Sequence, residues 1–147
     1  MSQENTNNDV FDLERFVRAQ ENNYSDAISE LRAGRKRSHW MWYVFPQFSG
    51  LGFSPTTIKY SIKSLDEAKA YLRHPVLGER LKECTEAVLA LDGKTAYEIF
   101  GSPDDLKLKS SMTLFERVAG ENSIFSETLK KYYRGERDSR TLILLDQ

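Results

Sequence analysis

The feature that most constrains this chain is its punctuation. From Asp12 onward, residues that start a helix alternate with residues that stop one, and the apolar side chains between them recur three and four positions apart. Asp12 stands as an N-cap, with Phe11 and Phe16 placed as a hydrophobic staple. Leu13, Phe16, Val17 and Gln20 then share one face. A second helix is expected from Ser25 to Ala33, with Ala27, Ile28 and Leu31 inward and Gly34 as its stop. The aromatic stretch Ser38–Phe48 reads as a helix closed by Pro46, and Gly50, Gly52 and Pro55 mark a loop beyond it.

Further along, Ser64 and Glu67 have capping-box spacing. Leu77, Leu81, Cys84, Val88 and Leu91 form a narrow apolar seam, which predicts a helix over Pro75–Leu91. Thr95 and Glu98 predict a second capping box. Ser102-Pro103-Asp104-Asp105 reads as a cap, a proline at the first helical position and two acids on the positive end of the helix dipole. Leu108, Met112, Phe115 and Ala119 face inward from that helix. Ser123–Tyr133 and a short piece capped by Asp138 complete the pattern. No segment alternates convincingly with period two. The expectation is an all-α, compact, multihelical single domain of about seven to eight helices. It would span residues 11–147 after a disordered, Asn-rich tail at 1–10.

A chain of 147 residues can bury a core without metal or disulfide. The single cysteine, Cys84, allows no internal disulfide, and two histidines do not suggest a zinc set. A net charge of −1 argues against a general nucleic-acid binder. No apolar run reaches membrane-spanning length, and the tail lacks a signal-peptide core, so a cytoplasmic protein is expected.

Two segments carry candidate chemistry. Arg35, Lys36, Arg37 and His39 lie in a glycine-started turn before the aromatic run. Cations beside backbone N–H groups favour anions, and Trp40 or Trp42 could stack a flat ring. The alternative is a solvated basic turn followed by core aromatics. His39 has the right side chain for proton transfer, with Glu30 as a possible partner, though it equally suits a structural hydrogen bond. In the second segment, Lys107 and Ser111 share a helix face, amid the hydroxyls of Ser110 and Thr113. These hydroxyls could hold ligand oxygens or bond back to the helix. Asp104 and Asp105 read as helix-start acids, and Cys84 as a buried small hydrophobe.

The stretches DLERFVRAQ, ELRAGRKRSHWMWYVFPQ, GLGFSPTTIKYSI, AYLRHPVLGERL and KLKSSMTLF make the sequence similar to the bacterial and fungal domain-of-unknown-function family numbered 1810. The resemblance covers nearly the whole chain beyond the tail and implies a compact helical domain. It implies no activity. The calpastatin-like label carried by some members does not transfer, because calpastatin is disordered and this chain is patterned for a core.

The resulting expectation is a small-molecule site for a phosphorylated or nucleotide-like ligand. Gln20, Lys36, Ser38, Trp40, Trp42, Gln47, Lys107 and Ser111 would line it, and His39 would move a proton if the protein is an enzyme. The pattern names no cofactor. The competing expectation is a non-catalytic module that shows its aromatic helix to a protein partner.

Overall fold

The computed structural model describes residues 9–147, and the expectation of a disordered tail falls mostly on residues 1–8, outside that range. Among the described residues ten helices follow in order, more than the seven to eight expected: α1 Glu14–Glu21, α2 Tyr24–Arg32, α3 Met41–Val44, α4 Pro55–Tyr60, α5 Leu65–Arg73, α6 Leu77–Leu89, α7 Ala96–Phe100, α8 Asp104–Ala119, α9 Ile124–Tyr133 and α10 Ser139–Leu145. There is no strand among the described residues; a lone parallel bridge joins Phe48 to Ile62. The all-helical expectation therefore holds.

Two helices organise the rest. The seam of α6 (Leu77, Leu81, Cys84, Val88) is buried, and α6 packs against α2, α5 and α9. The longer α8 buries Leu108, Met112, Leu114 and Phe115 and packs against α5, α7, α9 and α10. A file of aromatic rings crosses the core. Phe16 of α1 meets Tyr71 of α5 edge-on at 5.1 Å, Tyr71 meets Phe115 of α8 at 5.5 Å, and Phe115 meets Phe125 of α9 at 5.8 Å. Such pairs add about 1 kcal/mol each beyond the area they bury. Cys84 is fully buried in the α6 seam, and burial pushes its thiol up to about 12.

The capping boundaries test the sequence directly. Ser64, Thr95, Ser123 and Asp138 each accept a backbone N–H at the start of a helix, and Thr95 with Glu98 forms a complete capping box. Four expectations need correction. Asp12 does not cap α1: it sits at φ 53°, and the carboxylate of Asp9 accepts from the N–H groups of Leu13 and Glu14 instead. The aromatic helix shrinks to one turn, because Phe45 before Pro46 leaves the helical region at φ −124°, ψ 73°. The loop expected around Pro55 contains α4, whose start Ser54 caps by accepting from the Thr57 N–H. Ser102 makes no cap for α8, which begins with Pro103 at the N-cap position.

A buried ion pair ties the N-terminal part to the core. Arg15 of α1 lies 2.7 Å from Glu67 of α5, and its remaining donors go to the carbonyls of Phe11, Asp12, Lys59 and Ser61. No helix among the described residues is long and apolar enough to cross a membrane.

Candidate functional site

The basic turn is shaped by one carboxylate. Gly34 adopts φ 83°, a left-handed conformation that glycine takes without strain, and it turns the chain back under α2. Glu30, on the last turn of α2, then receives four hydrogen bonds from the returning segment: Arg37 N at 2.8 Å, Ser38 N at 3.0 Å, Ser38 Oγ at 2.5 Å and Trp40 Nε1 at 2.9 Å. Burial alone would raise the Glu30 carboxyl. The Ser38 hydroxyl, the Arg37 amide, the Trp40 indole and the Ser38 amide outweigh it and hold the group at about 2. Glu30 is thus committed to the turn, not to the His39 imidazole.

The turn is pinned on its other side as well. The Lys36 N–H donates to the Ile99 carbonyl of α7 at 2.7 Å, and Lys94 Nζ donates to the Gly34 carbonyl at 2.9 Å. The Lys36 side chain, 9% exposed, pairs with Asp104 at the start of α8 at 2.9 Å and lies 5.2 Å from the centre of the Trp40 ring. Lys107, one turn along α8, approaches the other oxygen of Asp104 at 3.6 Å and lies 5.5 Å from the Trp42 ring centre. The two sequence segments therefore converge. Asp104, read from sequence as a helix-start acid, is their shared link.

The expected site residues divide sharply. Lys36, Lys107 and Trp42 belong to this junction. Ser38 is spent on Glu30. Trp40 is 1% exposed, so its indole is core and offers no stacking face. Gln20 is 1% exposed and acts as a buried strut: its amide donates to the Tyr43 carbonyl at 2.6 Å and the Tyr71 hydroxyl at 3.2 Å, and its oxygen accepts from Arg80. Trp42 and Gln47 line a void of about 10 Å³ with Phe48 and Tyr60, room for one water at most. His39 is exposed, and its hydrogen bond in the turn uses the backbone carbonyl, which accepts from Tyr43 Oη at 3.3 Å. Ser111 is fully buried, and its Oγ has no hydrogen-bond partner among the described residues. Its neighbours Ser110 and Thr113 bond back to the carbonyls of Leu106 and Lys109.

Met41, Tyr43, Val44 and Phe45 are also buried, so the aromatic segment turns inward and presents no flat face outward. Arg32, at the near end of the basic run, is engaged with Glu83 at 2.9 Å.

Open space lies beside the turn. A cleft of about 510 Å³ is bounded by Arg35, Lys36, Lys94, Tyr97, Glu98 and Gly101. That size suits a small molecule. Clefts of about 490 and 550 Å³ lie near His74 and Arg15, but the first has mixed charge and the second is built around the closed Arg15–Glu67 pair. In the cleft by the turn, Arg35 and Lys94 are exposed, Lys94 uses one donor internally, and the Glu98 carboxylate is folded back onto the Thr95 N–H at 2.8 Å. Tyr97 is 63% exposed at its edge. Sequence reasoning singled out Arg35 and Lys36 but missed Lys94 and Tyr97. Lys94 precedes the capping box of a short helix and Tyr97 lies inside it, and nothing in that box announces that α7 faces the turn.

Fold and junction together define a small, all-helical protein whose basic turn is locked onto the start of its longest helix. The chain belongs to the family described as "Protein of unknown function (DUF1810)", which matches residues 10–145. It is similar to the crystal structure of the conserved hypothetical protein Rv1873 from Mycobacterium tuberculosis, with 57% identity and a TM-score of 0.93, covering 95% of this chain and 99% of that one. No curated protein matches it.

Proposed function

We propose that this protein binds a small phosphorylated or nucleotide-like molecule in the cleft between the Gly34–Lys36 turn and α7. The observation that carries the reading is a cleft of about 510 Å³ lined by three basic residues, Arg35, Lys36 and Lys94, of which Arg35 and Lys94 are exposed. Guanidinium and ammonium groups make charge-assisted hydrogen bonds to phosphate, and Arg adds a fork that matches two oxygens. The exposed ring of Tyr97 stands at the same cleft and suits a base or sugar face. The turn is pre-organised by Glu30 and by the Lys36–Ile99 backbone bond, so little ordering is needed on binding. His39 is not among the residues that bound this cleft, so the proposal is binding without an assigned proton transfer.

The test is a thermal-shift titration with AMP, ADP-ribose and pyrophosphate. A ligand at about a hundred times its dissociation constant adds about 2.7 kcal/mol, a shift of several degrees here. The double variant Arg35→Ala/Lys94→Ala should lose the shift, and His39→Ala should keep it. No shift with any of the three, or a shift that survives in the double variant, overturns the proposal.

A further inference from the structure

We propose that Asp92 is a self-modifying site: the Gly93 nitrogen attacks its side-chain carboxyl, and the connection between α6 and α7 acquires an isoaspartyl link. Asp92-Gly93 is the one Asp-Gly step in the chain, which has no Asn-Gly step. Glycine puts no Cβ beside the attacking nitrogen. At Gly93, φ 73°, no atom beyond its chain neighbours lies within 4 Å of where a Cβ would stand. The Asp92 side chain is 99% exposed. Its carboxylate accepts no hydrogen bond among the described residues. Lys131 Nζ stands 3.7 Å away and donates instead to the Leu89 and Leu91 carbonyls. The Gly93 N–H donates to nothing among the described residues, so cyclisation breaks no hydrogen bond.

Other aspartates lack this combination. After Asp26, Asp66 and Asp104, in the first turns of their helices, the next N–H is held by the Asn23 carbonyl, Ser64 Oγ and the Gly101 carbonyl. After Asp105 the N–H is held by the Pro103 carbonyl, and Leu106 crowds it with a branched side chain. Asp9 and Asp138 have carboxylates committed to backbone N–H groups.

The chemistry needs only water. Gly93 N bonds to Asp92 Cγ, the Cγ–O bond breaks, and water leaves with the amide proton. Hydrolysis of the five-membered imide at Cγ restores aspartate. Hydrolysis at the main-chain carbonyl gives isoaspartate, of unchanged mass, whose main chain runs through Cβ and Cγ and is one methylene longer. The added length falls two residues before Lys94, which donates to the Gly34 carbonyl at 2.9 Å, and three before Thr95, the α7 cap. Isomerisation therefore loosens the tie between the start of α7 and the basic turn. No ligand in the cleft is required.

The experiment is incubation of the whole folded protein for weeks at physiological temperature and pH, followed by tryptic mapping. Wild type is compared with Asp92→Glu, whose longer side chain would have to close a slower six-membered ring, and with wild type unfolded in urea. In native wild type a growing share of the tryptic peptide 83–94 should elute as an isomer of unchanged mass that an aspartate-specific protease no longer cuts. That share should come within several-fold of the unfolded chain's and exceed that of every other aspartate in residues 9–147 by several-fold. Asp92→Glu should stay unchanged, and aged wild type should melt at a lower temperature than Asp92→Glu aged alongside it. No isomer at Asp92 in the native protein, once the unfolded chain has isomerised there, overturns the proposal. Faster conversion at another aspartate of the native protein overturns it too. Isomerisation with an unmoved melting temperature overturns the loosening of α7.

Discussion

Trp40 donates its indole N–H to Glu30 Oε1 at 2.9 Å, across the turn that carries the chain's densest run of positive charge. The bond fixes the ring in the core, where it packs 6.3 Å from Phe45 and lies beneath Lys36. One carboxylate therefore positions both the aromatic part and the cationic part of the segment.

Glu30→Ala should be costly. It strands the Trp40 indole N–H and the Ser38 hydroxyl and leaves the turn without its acceptor. Hydrogen bonds to a charged group are worth about 1.5–3 kcal/mol, so a net loss of about 3 kcal/mol is expected. The melting temperature should fall by roughly 10 °C, with a red shift in tryptophan emission. The pH dependence has a definite sign. The folded-state value of about 2 lies below the ordinary 4.5, so this stabilisation is present above about pH 4.5 and fades as pH falls toward 2. Urea melts of wild type and Glu30→Gln should differ at pH 7 and converge near pH 2. A constant difference would contradict the assignment.

His74 caps α6 with its ring. Nδ1 accepts from the N–H groups of Val76 at 3.1 Å and Leu77 at 3.2 Å, which assigns the ring proton to Nε2. His74→Ala should lose about 1 kcal/mol, as for other N-cap deletions, and His74→Asn should recover part of it. Equal stability of wild type and His74→Ala in denaturant melts would rule the cap out.

Ser111→Ala should be neutral or stabilising, by up to about 1 kcal/mol. The hydroxyl is buried without a partner, and alanine is the better helix former. A loss above about 1 kcal/mol would mean that the hydroxyl is satisfied in solution.

Gly78→Ala should destabilise by about 2–3 kcal/mol, although helix propensity alone predicts a gain of about 1 kcal/mol. A Cβ at Gly78 would stand 2.1 Å from the Leu72 carbonyl oxygen, where α5 and α6 meet. Backbone on a packed helix cannot yield cheaply. A melting temperature equal to or above wild type would show that the two helices do not meet this closely.

The readings that succeeded were local. Ser64, Thr95 and Asp138 cap their helices because a short side chain reaches a backbone N–H three residues on, whatever the rest of the fold does. The α6 seam is legible for the same reason, since its spacing records one buried face. The candidate site was legible only in part. Lys36 and Lys107 were marked by their company, but Asp104 was explained by its place in a helix, and Gln20 and Trp40 were assigned to a ligand when each is satisfied within the fold, Gln20 by Tyr43 and Tyr71 and Trp40 by Glu30. A polar residue beside aromatics looks the same in sequence whether its partner is a ligand or a carbonyl.

The sequence by itself determined an all-helical domain, most of its helix starts and stops, and the inward faces of its two organising helices. Those properties depend on residues within a turn or two of each other. Only the tertiary structure decided that Glu30 closes the basic turn, that Asp104 joins Lys36 to Lys107, that Lys94 and Tyr97 complete a cleft, and that Gly78 is required by contact. Each of these depends on which helices meet and at what distance. Hydrogen bonds and ion pairs fall away within an ångström or two, so a local pattern cannot specify which distant groups will satisfy them.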